Sequence, residues 1–590
     1  MSPNPKFRES FAWLQPCDRP APCSLRLEAA DGLPETAREE LKAGFERLFG
    51  QDVWRGEAET SVSLSLDISL PPEGYRVAYE AADKRLRVSA ADDAGLLYGV
   101  FALLRELAAF PKPLEAIALS GAPAVPRRVL NHWDNTAGHV ERGYAGQSLF
   151  FRDDRLDFDP ARVRDYARLM ASVGLNVSAI NNVNVTEGGA RLLSDESLPK
   201  LAELASIFRA YGVRLSLSVH FESPVLLGGL STADPLDEGV AAWWTEQTDK
   251  LYRAIPDFSG YLVKADSEFR GGPSSLGRTQ ADGANLLARV VRPYNGVVYW
   301  RCFIYNCMQD WRDTATDRPK AAYDLFRPQD GLFESNVILQ VKNGPSDFQV
   351  REPNSPLLGA MEHTRESLEF EVTQEYTGQQ IDLYNLAVQW EEVLSFPAGG
   401  GRVLRDLIGR EIDTVAGVSN VGDDENWTGH TLAQLNWYAF GRLCWDPRLT
   451  ARQITDEWVR LTFGGEPKLV SALTDMLLRS RGVYEKYTSP LGLGWMVNIN
   501  HHYGPSPEGY EFMKWGTYHR ANHRAIGVDR TSRGTGFTTQ YKPELTALFD
   551  DVTTCPEELL LYFHRLPYDY VLKNGKSLLQ YIYDTHFEGA

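Results

Sequence analysis

The sequence predicts an α/β chain in three parts. A central (β/α)8 TIM barrel occupies residues 126–445, with an N-terminal α+β accessory domain at 1–125 and a mainly α-helical C-terminal domain at 446–590. Two observations predict this. Eight short apolar runs alternate with helical patterns through the middle of the chain, the rhythm of a closed parallel barrel. No glycine-rich phosphate turn follows any of those runs, which removes the main reason to prefer an open doubly wound sheet. The 590-residue length fits three domains better than four, because one such barrel takes about 250 residues by itself.

In the N-terminal part, ETAREELKAGFERLF reads as a helix, SVSLSLDISL, YRVAYEA and RLRVSA as strands, and GLLYGVFALLRELAAF as a second helix. Gly121, Pro123 and Pro126 punctuate the chain and set a boundary near residue 125. The barrel strands read as RVLNHW, LNVSAINNV, VRLSLSVHF, GYLVKADS, GVVYWRCFIY, NVILQVK, LEFEVTQEY and DTVAGVSNV. Between them lie helical patterns such as ARVRDYARLMASVG, LAELASIFRAYG, VAAWWTEQTDKLYRAI, ANLLARVV and LYNLAVQWEEVLS. Beyond residue 446, TARQITDEWVRLTFG and LVSALTDMLLRSRGVYEKY read as helices, followed by a long aromatic stretch and PEELLLYFHRLP.

Lys and Arg number 61 against 79 Asp and Glu, a net charge of −18 that repels phosphate backbones and anionic lipid. Nucleic acid and membrane surfaces are therefore not expected partners, although a local basic pocket can still hold a small anion within the screening length of ~8–10 Å. The six cysteines (Cys17, Cys23, Cys302, Cys307, Cys444, Cys555) show no paired CxxC spacing and read as buried thiols. The opening MSPNPKFRESFAWLQP has no apolar signal core, and Ala94 to Leu104 is too short to cross ~30 Å of hydrocarbon. The expectation is a soluble, cytoplasmic chain.

Barrel chemistry collects at the C-terminal ends of strands, so charge at those ends is the signal to seek. Lys264, Asp266 and Glu268 in VKADSEF have the i, i+2, i+4 spacing of one strand face. Arg301 lies in YWRCF, Lys342 ends the sixth strand with Asp347 in the loop after it, and Glu375 ends the seventh. Any one of these reads well enough as a solvated rim charge. The set reads better as a pocket. Paired carboxyl groups are what glycosidic cleavage requires, one holding a proton for the leaving oxygen and one ionised. Lys264, Arg301 and Lys342 could converge on a carboxylate, which points to an acidic sugar.

Other polar groups compete. Asp423, Asp424 and Glu425 follow the eighth strand, and His132, Trp133, Asp134, Asn135, His139, Glu141 and Arg142 lie on the first or in its loop; spacing does not rank either group against Asp347 and Glu375. His501, His502, His519 and His523 raise a metal site, but the HExxH glutamate is missing and loop histidines are the plainer reading. A metal-dependent barrel hydrolase would want HxH on the first strand and histidines ending the fifth and sixth, where there are none. A sugar-binding protein on a decayed barrel would have lost a carboxylate, yet all three are present.

The blocks NHWDN, ERGYAGQS, VKADSEF, KNGPSDFQVREP, TQEYTGQQ, GVSNVGDDENWTGH, GLGWMVN, HHYGP and WGTYHR resemble glycoside hydrolase family 67, the xylan α-glucuronidases, over roughly residues 60–589. The resemblance implies an inverting hydrolase without metal or organic cofactor. It would free α-1,2-linked glucuronic or 4-O-methylglucuronic acid from the non-reducing terminal xylose of xylo-oligosaccharides. The family's acid falls on Glu268 and its base-associated carboxylates on Asp347 and Glu375. Carboxylate binding falls on Lys264, Arg301 and Lys342, and the aromatic sugar positions on Trp133 and Trp515. The partners implied are small aldouronic acids and a second copy of the chain, met through the C-terminal domain.

Overall fold

The computed structural model describes residues 25–29, 32–54, 60–142, 144–268, 270–304, 317–379, 381–494, 496–498, 502, 504, 506 and 519–590. Strands β1 (Leu25–Ala29), β2 (Thr60–Leu66), β3 (Tyr75–Glu80), β4 (Arg85–Ala90) and β5 (Ala118–Gly121) form one mixed sheet in the order β1–β2–β4–β3–β5. Helices α1 (Glu35–Phe49) and α2 (Asp93–Ala109) pack together and bury Leu41, Phe45, Leu96, Val100 and Leu103. Asp92 starts α2 by accepting the Gly95 N–H at 2.8 Å, which satisfies one orphan donor of the first turn. The two edge strands β1 and β5 are not among the strands read from the sequence. They are only five and four residues long, too short to show alternation.

The barrel consists of β6 (Arg127–His132), β7 (Val177–Ile180), β8 (Arg214–Val219), β9 (Gly260–Val263), β10 (Val297–Arg301), β11 (Val337–Lys342), β12 (Arg365–Glu371) and β13 (Ile412–Ser419). Each strand pairs parallel with the next and β13 closes on β6. Around it run α3 (Pro160–Ser172), α4 (Leu198–Arg209), α5 (Glu238–Ala254), α6 (Gln280–Val291), α7 (Leu386–Ser395) and α8 (Gln434–Trp445). Thr279 and Asp282 form a capping box on α6, and Asp237 caps α5, so both helices start where a short polar side chain can meet the free N–H groups. Val129, Val177, Ala179, Leu262, Val297, Tyr299, Ile338 and Ala416 pack as one buried apolar cluster. Two residues further along their strands come Asn131, Arg301 and Gln340, all buried, so the inward face turns polar toward the C-terminal ends.

Three strands stop sooner than their apolar runs suggest: β9 at Val263, β10 at Arg301 and β12 at Glu371. Asp266 and Glu268 have φ of 52° and 48°, left-handed values that end the alternation beyond Lys264. Asp266 therefore leaves the face predicted for it and accepts the Ser274 N–H at 3.0 Å, a loop-fixing role. Glu375 lies in the turn after β12 instead of on the strand.

The C-terminal helices are α9 (Ala451–Phe463), α10 (Pro467–Thr488), α11 (Pro543–Asp550) and α12 (Leu578–Gly589). Thr450 and Gln453 box the start of α9, and α12 packs on α10. A second apolar core forms here around Leu493, Phe537, Phe549, Leu561 and Phe563. Arg351 of the barrel reaches Glu485 of α10 with Nε at 2.6 Å and Nη2 at 2.7 Å, and Arg530 Nε donates to Asp317 at 2.8 Å. Cys302, Cys444 and Cys555 are buried free thiols; Cys17, Cys23 and Cys307 lie outside the described residues. Among the described residues no helix is long and apolar enough to cross a membrane.

Candidate active site

The inward positions of β10, β11 and β12 and the turn after β9 bring Arg301, Lys342, Glu369 and Lys264 together at the C-terminal end of the barrel, all of them buried. Lys264 Nζ donates to Asn184 Oδ1 at 2.7 Å and to the Glu268 carboxylate. Burial pushes the Lys264 ammonium well below its ordinary proton affinity, and the nearby charges of Arg301 and Lys342 push it the same way. Glu141 adds a carboxylate to this field, held by the Asn182 amide at 2.6 Å.

Arg301 is already engaged. Its Nε donates to Glu369 Oε2 at 2.9 Å and its Nη2 to Glu369 Oε1, and Gln340 also donates to Glu369. The guanidinium so fixed keeps its charge, because Glu369 outweighs the cost of burial. An incoming anion would have to meet its Nη1–Nη2 end. The sequence picks out Arg301 but not Glu369, which reads as one more alternating residue of LEFEV.

Asp347 sits in the loop after β11 with φ of 109°, followed by Phe348 at 55°. Such values cost a non-glycine residue about 1–3 kcal/mol and persist where the surroundings over-determine them. Glu352 does so here, accepting the Ser346 N–H at 2.6 Å and the Gln349 N–H at 2.7 Å. Gly344 permits this, since a Cβ there would overlap the Glu352 carboxyl group. Asp347 Oδ2 accepts from Arg318 Nη2 and Tyr376 OH, each at 2.9 Å, and Oδ1 accepts from Lys342. Burial alone would raise its pKa; the Lys342 and Arg318 charges overcome that and hold Asp347 well below the usual carboxylate range. The Lys342 ammonium also lies over the Phe303 ring, 3.3 Å from its centroid.

Glu375 Oε1 accepts from Arg142 Nη2 and lies 2.8 Å from His502 Nδ1, while the His502 ring stacks on Tyr376 at 4.7 Å. Burial would raise Glu375 as well, but Arg142 and His502 bring it down to about 2. His502 belongs to the C-terminal region, so two parts of the chain build one site. Trp133, Phe348, Tyr376, Val418 and Val497 form an apolar cluster beside these carboxylates. Trp515 and His501 lie outside the described residues.

Of the competing groups, Trp133, Glu141 and Arg142 join the site, whereas Asp423, Asp424, His132, Asp134, His519 and His523 have other partners. Asp423 accepts the Gln147 N–H at 2.7 Å, and the Asp424 carbonyl accepts from Arg162, so both fix loops. His132 is buried against Tyr166 and Ser178, and burial lowers it to about 3. Asp134 is buried against Ser148 and raised by that burial to about 7. His519 Nδ1 accepts the Ala521 N–H and His523 Nε2 accepts from Arg524. Among the described residues no group of three or more His, Cys, Asp or Glu side chains is arranged to hold a metal ion. Arg142 and His502 are the partners that spacing does not assign; both fall in blocks shared with the resembled family, ERGYAGQS and HHYGP.

The family models for the glycosyl hydrolase family 67 middle domain and C-terminus match residues 108–427 and 428–590. A probable α-glucuronidase A of Aspergillus niger is 40% identical over 97% of this chain and 72% of its own length. An α-glucuronidase of Hypocrea jecorina is 43% identical over 89% of this chain and 63% of its own. Among solved structures, a family GH115 4-O-methyl-α-glucuronidase with specificity for decorated arabinogalactans superposes with a TM-score of 0.53 at 10% identity, covering 82% of this chain and 64% of that one; the likeness is one of fold. The chain therefore belongs to glycosyl hydrolase family 67, as a glycoside hydrolase of α-glucuronidase type.

Proposed function

We propose that this enzyme removes α-1,2-linked glucuronic or 4-O-methylglucuronic acid from the non-reducing terminal xylose of xylo-oligosaccharides, with inversion of configuration. The observation that carries the reading is the arrangement of charge. Lys264, Arg301 and Lys342 gather at the C-terminal end of the barrel, and two carboxylates near them, Asp347 and Glu375, are both held ionised.

In this reading the uronate carboxylate lies against Lys264, Lys342 and the outer end of Arg301, with Trp133 along a sugar face. Glu268 protonates the leaving xylose oxygen as the glycosidic C–O bond breaks. A water forms the new bond to the anomeric carbon from the opposite side and gives its proton to Asp347 or Glu375, which hold it jointly. Inversion requires about 6.5–9.5 Å between the acid and the base to leave room for that water.

The substrate's charge takes part in the chemistry. Lys264 pairs with Glu268, the group that has to deliver a proton. A bound uronate competes for Lys264 and cancels part of its field, so Glu268 takes up its proton more readily. The same anion eases the hold of Lys342 on Asp347 and makes that carboxylate a better proton acceptor. A neutral sugar would bind without either effect.

Two copies are proposed to meet through α10 and α12, whose outer faces expose Met476, Val483, Tyr583 and Phe587. The catalytic reading is tested by incubation with aldotriouronic acid and with its uronic methyl ester. Release of free uronic acid from the acid, with kcat as well as kcat/KM lower for the ester, is expected. Equal turnover of the two would overturn the role of the cations.

A further inference from the structure

The inward face of β12 carries Glu369 and then Glu371. Glu369 is accounted for by Arg301 and Gln340. Glu371 is not: it is 4% exposed, and its Oε1 has no hydrogen-bond partner among the described residues. Its carboxyl group lies against that of Glu375, four residues on in the turn. A hydrogen bond between two carboxyl groups needs a proton, and two buried carboxylates in contact cannot both be ionised. Which one keeps the proton follows from the neighbours. Glu375 has Arg142 and His502 on its Oε1. Glu371 faces Glu375 and the Asp347 charge, with the Lys342 ammonium, already paired with Asp347, as the opposing cation. From the loop after β6, Tyr144 lies near Glu371, and its hydroxyl is committed to Thr373 and the Gln374 N–H.

We propose that Glu371 is a positioning residue that stays protonated through the reaction and donates its proton to the Glu375 carboxylate. With Arg142 and His502 on one side and Glu371 on the other, Glu375 has a fixed orientation, and its remaining lone pairs are directed at the water. Glu371 neither gains nor loses a proton overall. The water's oxygen bonds to the anomeric carbon and its proton passes to Glu375 or Asp347. The glycosidic C–O bond breaks, and the Glu268 proton leaves on the xylose oxygen.

This inference rests on the proposed hydrolysis for its kinetic consequence, but not for its protonation state. Two variants separate the roles. Glu371→Gln keeps a donor of the same shape, and Glu371→Leu removes it. The expected result is a kcat within about threefold of wild type for the Gln variant and about tenfold to a hundredfold lower for the Leu variant, with KM little changed in both, as for a misdirected group. Infrared spectra of the resting enzyme at neutral pH provide a readout that does not depend on turnover. Burial also raises the carboxyls of Glu352 and Glu366, so the quantity to read is the wild-type spectrum minus that of Glu371→Gln. The carbonyl stretch of one protonated carboxyl is expected in that difference. Absence of the band from the difference, or a Gln variant as impaired as the Leu variant, would overturn the proposal. Failure of the wild type to release uronic acid would instead count against the proposed hydrolysis and leave the infrared result to decide Glu371.

Discussion

Glu268 has the most demanding task in this site, because it must hold a proton beside an ammonium group. Glu268→Gln retains a side chain that can still accept from Lys264 but has no proton to give. We expect kcat on aldouronic acids to fall by about 10² to 10⁴, with KM within a few-fold of wild type, in steady-state kinetics. A near-wild-type kcat with xylose as leaving group would remove Glu268 from the acid role. The groups legible in the sequence are those at or just past strand ends, where position implies direction: Lys264, Arg301, Lys342, Asp347 and Glu375. Asp266 escapes that logic because alternation does not continue past Lys264, where Asp266 and Glu268 take positive φ. Arg142 and His502 are visible only as candidates, since their approach to Glu375 spans 233 and 127 residues of chain. Glu369 and Glu371 are hidden by their own regularity within β12.

The loop from Lys342 to Glu352 shows how an element holds a strained residue. Glu352 accepts two N–H groups of that loop, and burial raises it to about 8 despite them. The folded chain therefore holds this proton more tightly than the unfolded chain, whose value is near the ordinary 4.5. Its contribution to stability is complete below about pH 4.5 and is lost as pH rises toward 8. Glu352→Gln should lower the melting temperature at every pH, because an amide cannot accept both N–H groups through two oxygens. It should also flatten the decline in melting temperature between about pH 5 and 8. Calorimetry across that range checks this, and an unchanged slope would contradict it. The barrel strands and helices are legible because each repeats the same apolar pattern against the same core. Strand ends are less so, because the polar residues that follow β9 and β12 continue a pattern that the backbone has already left.

The C-terminal region contributes His502 to the barrel's site and supports the Asp347 loop through Tyr562, whose hydroxyl lies 2.7 Å from Ser346 Oγ. Catalysis therefore depends on how the parts pack, which no local pattern discloses. The proposed pairing of two copies has a direct test. Phe587 is 74% exposed and Tyr583 59%, so replacing both by Glu leaves the described core intact. Sedimentation is expected to show a dimer for the wild type and a monomer for the double variant; a wild-type monomer would contradict the pairing. For the enzyme's chemistry, one observation outweighs the others. Proton NMR in the first minutes of aldotriouronic acid hydrolysis reads the anomeric form of the freed uronic acid before it equilibrates. The β-anomer appearing first is the expected result, and the α-anomer appearing first would contradict a water held by Asp347 and Glu375 opposite Glu268.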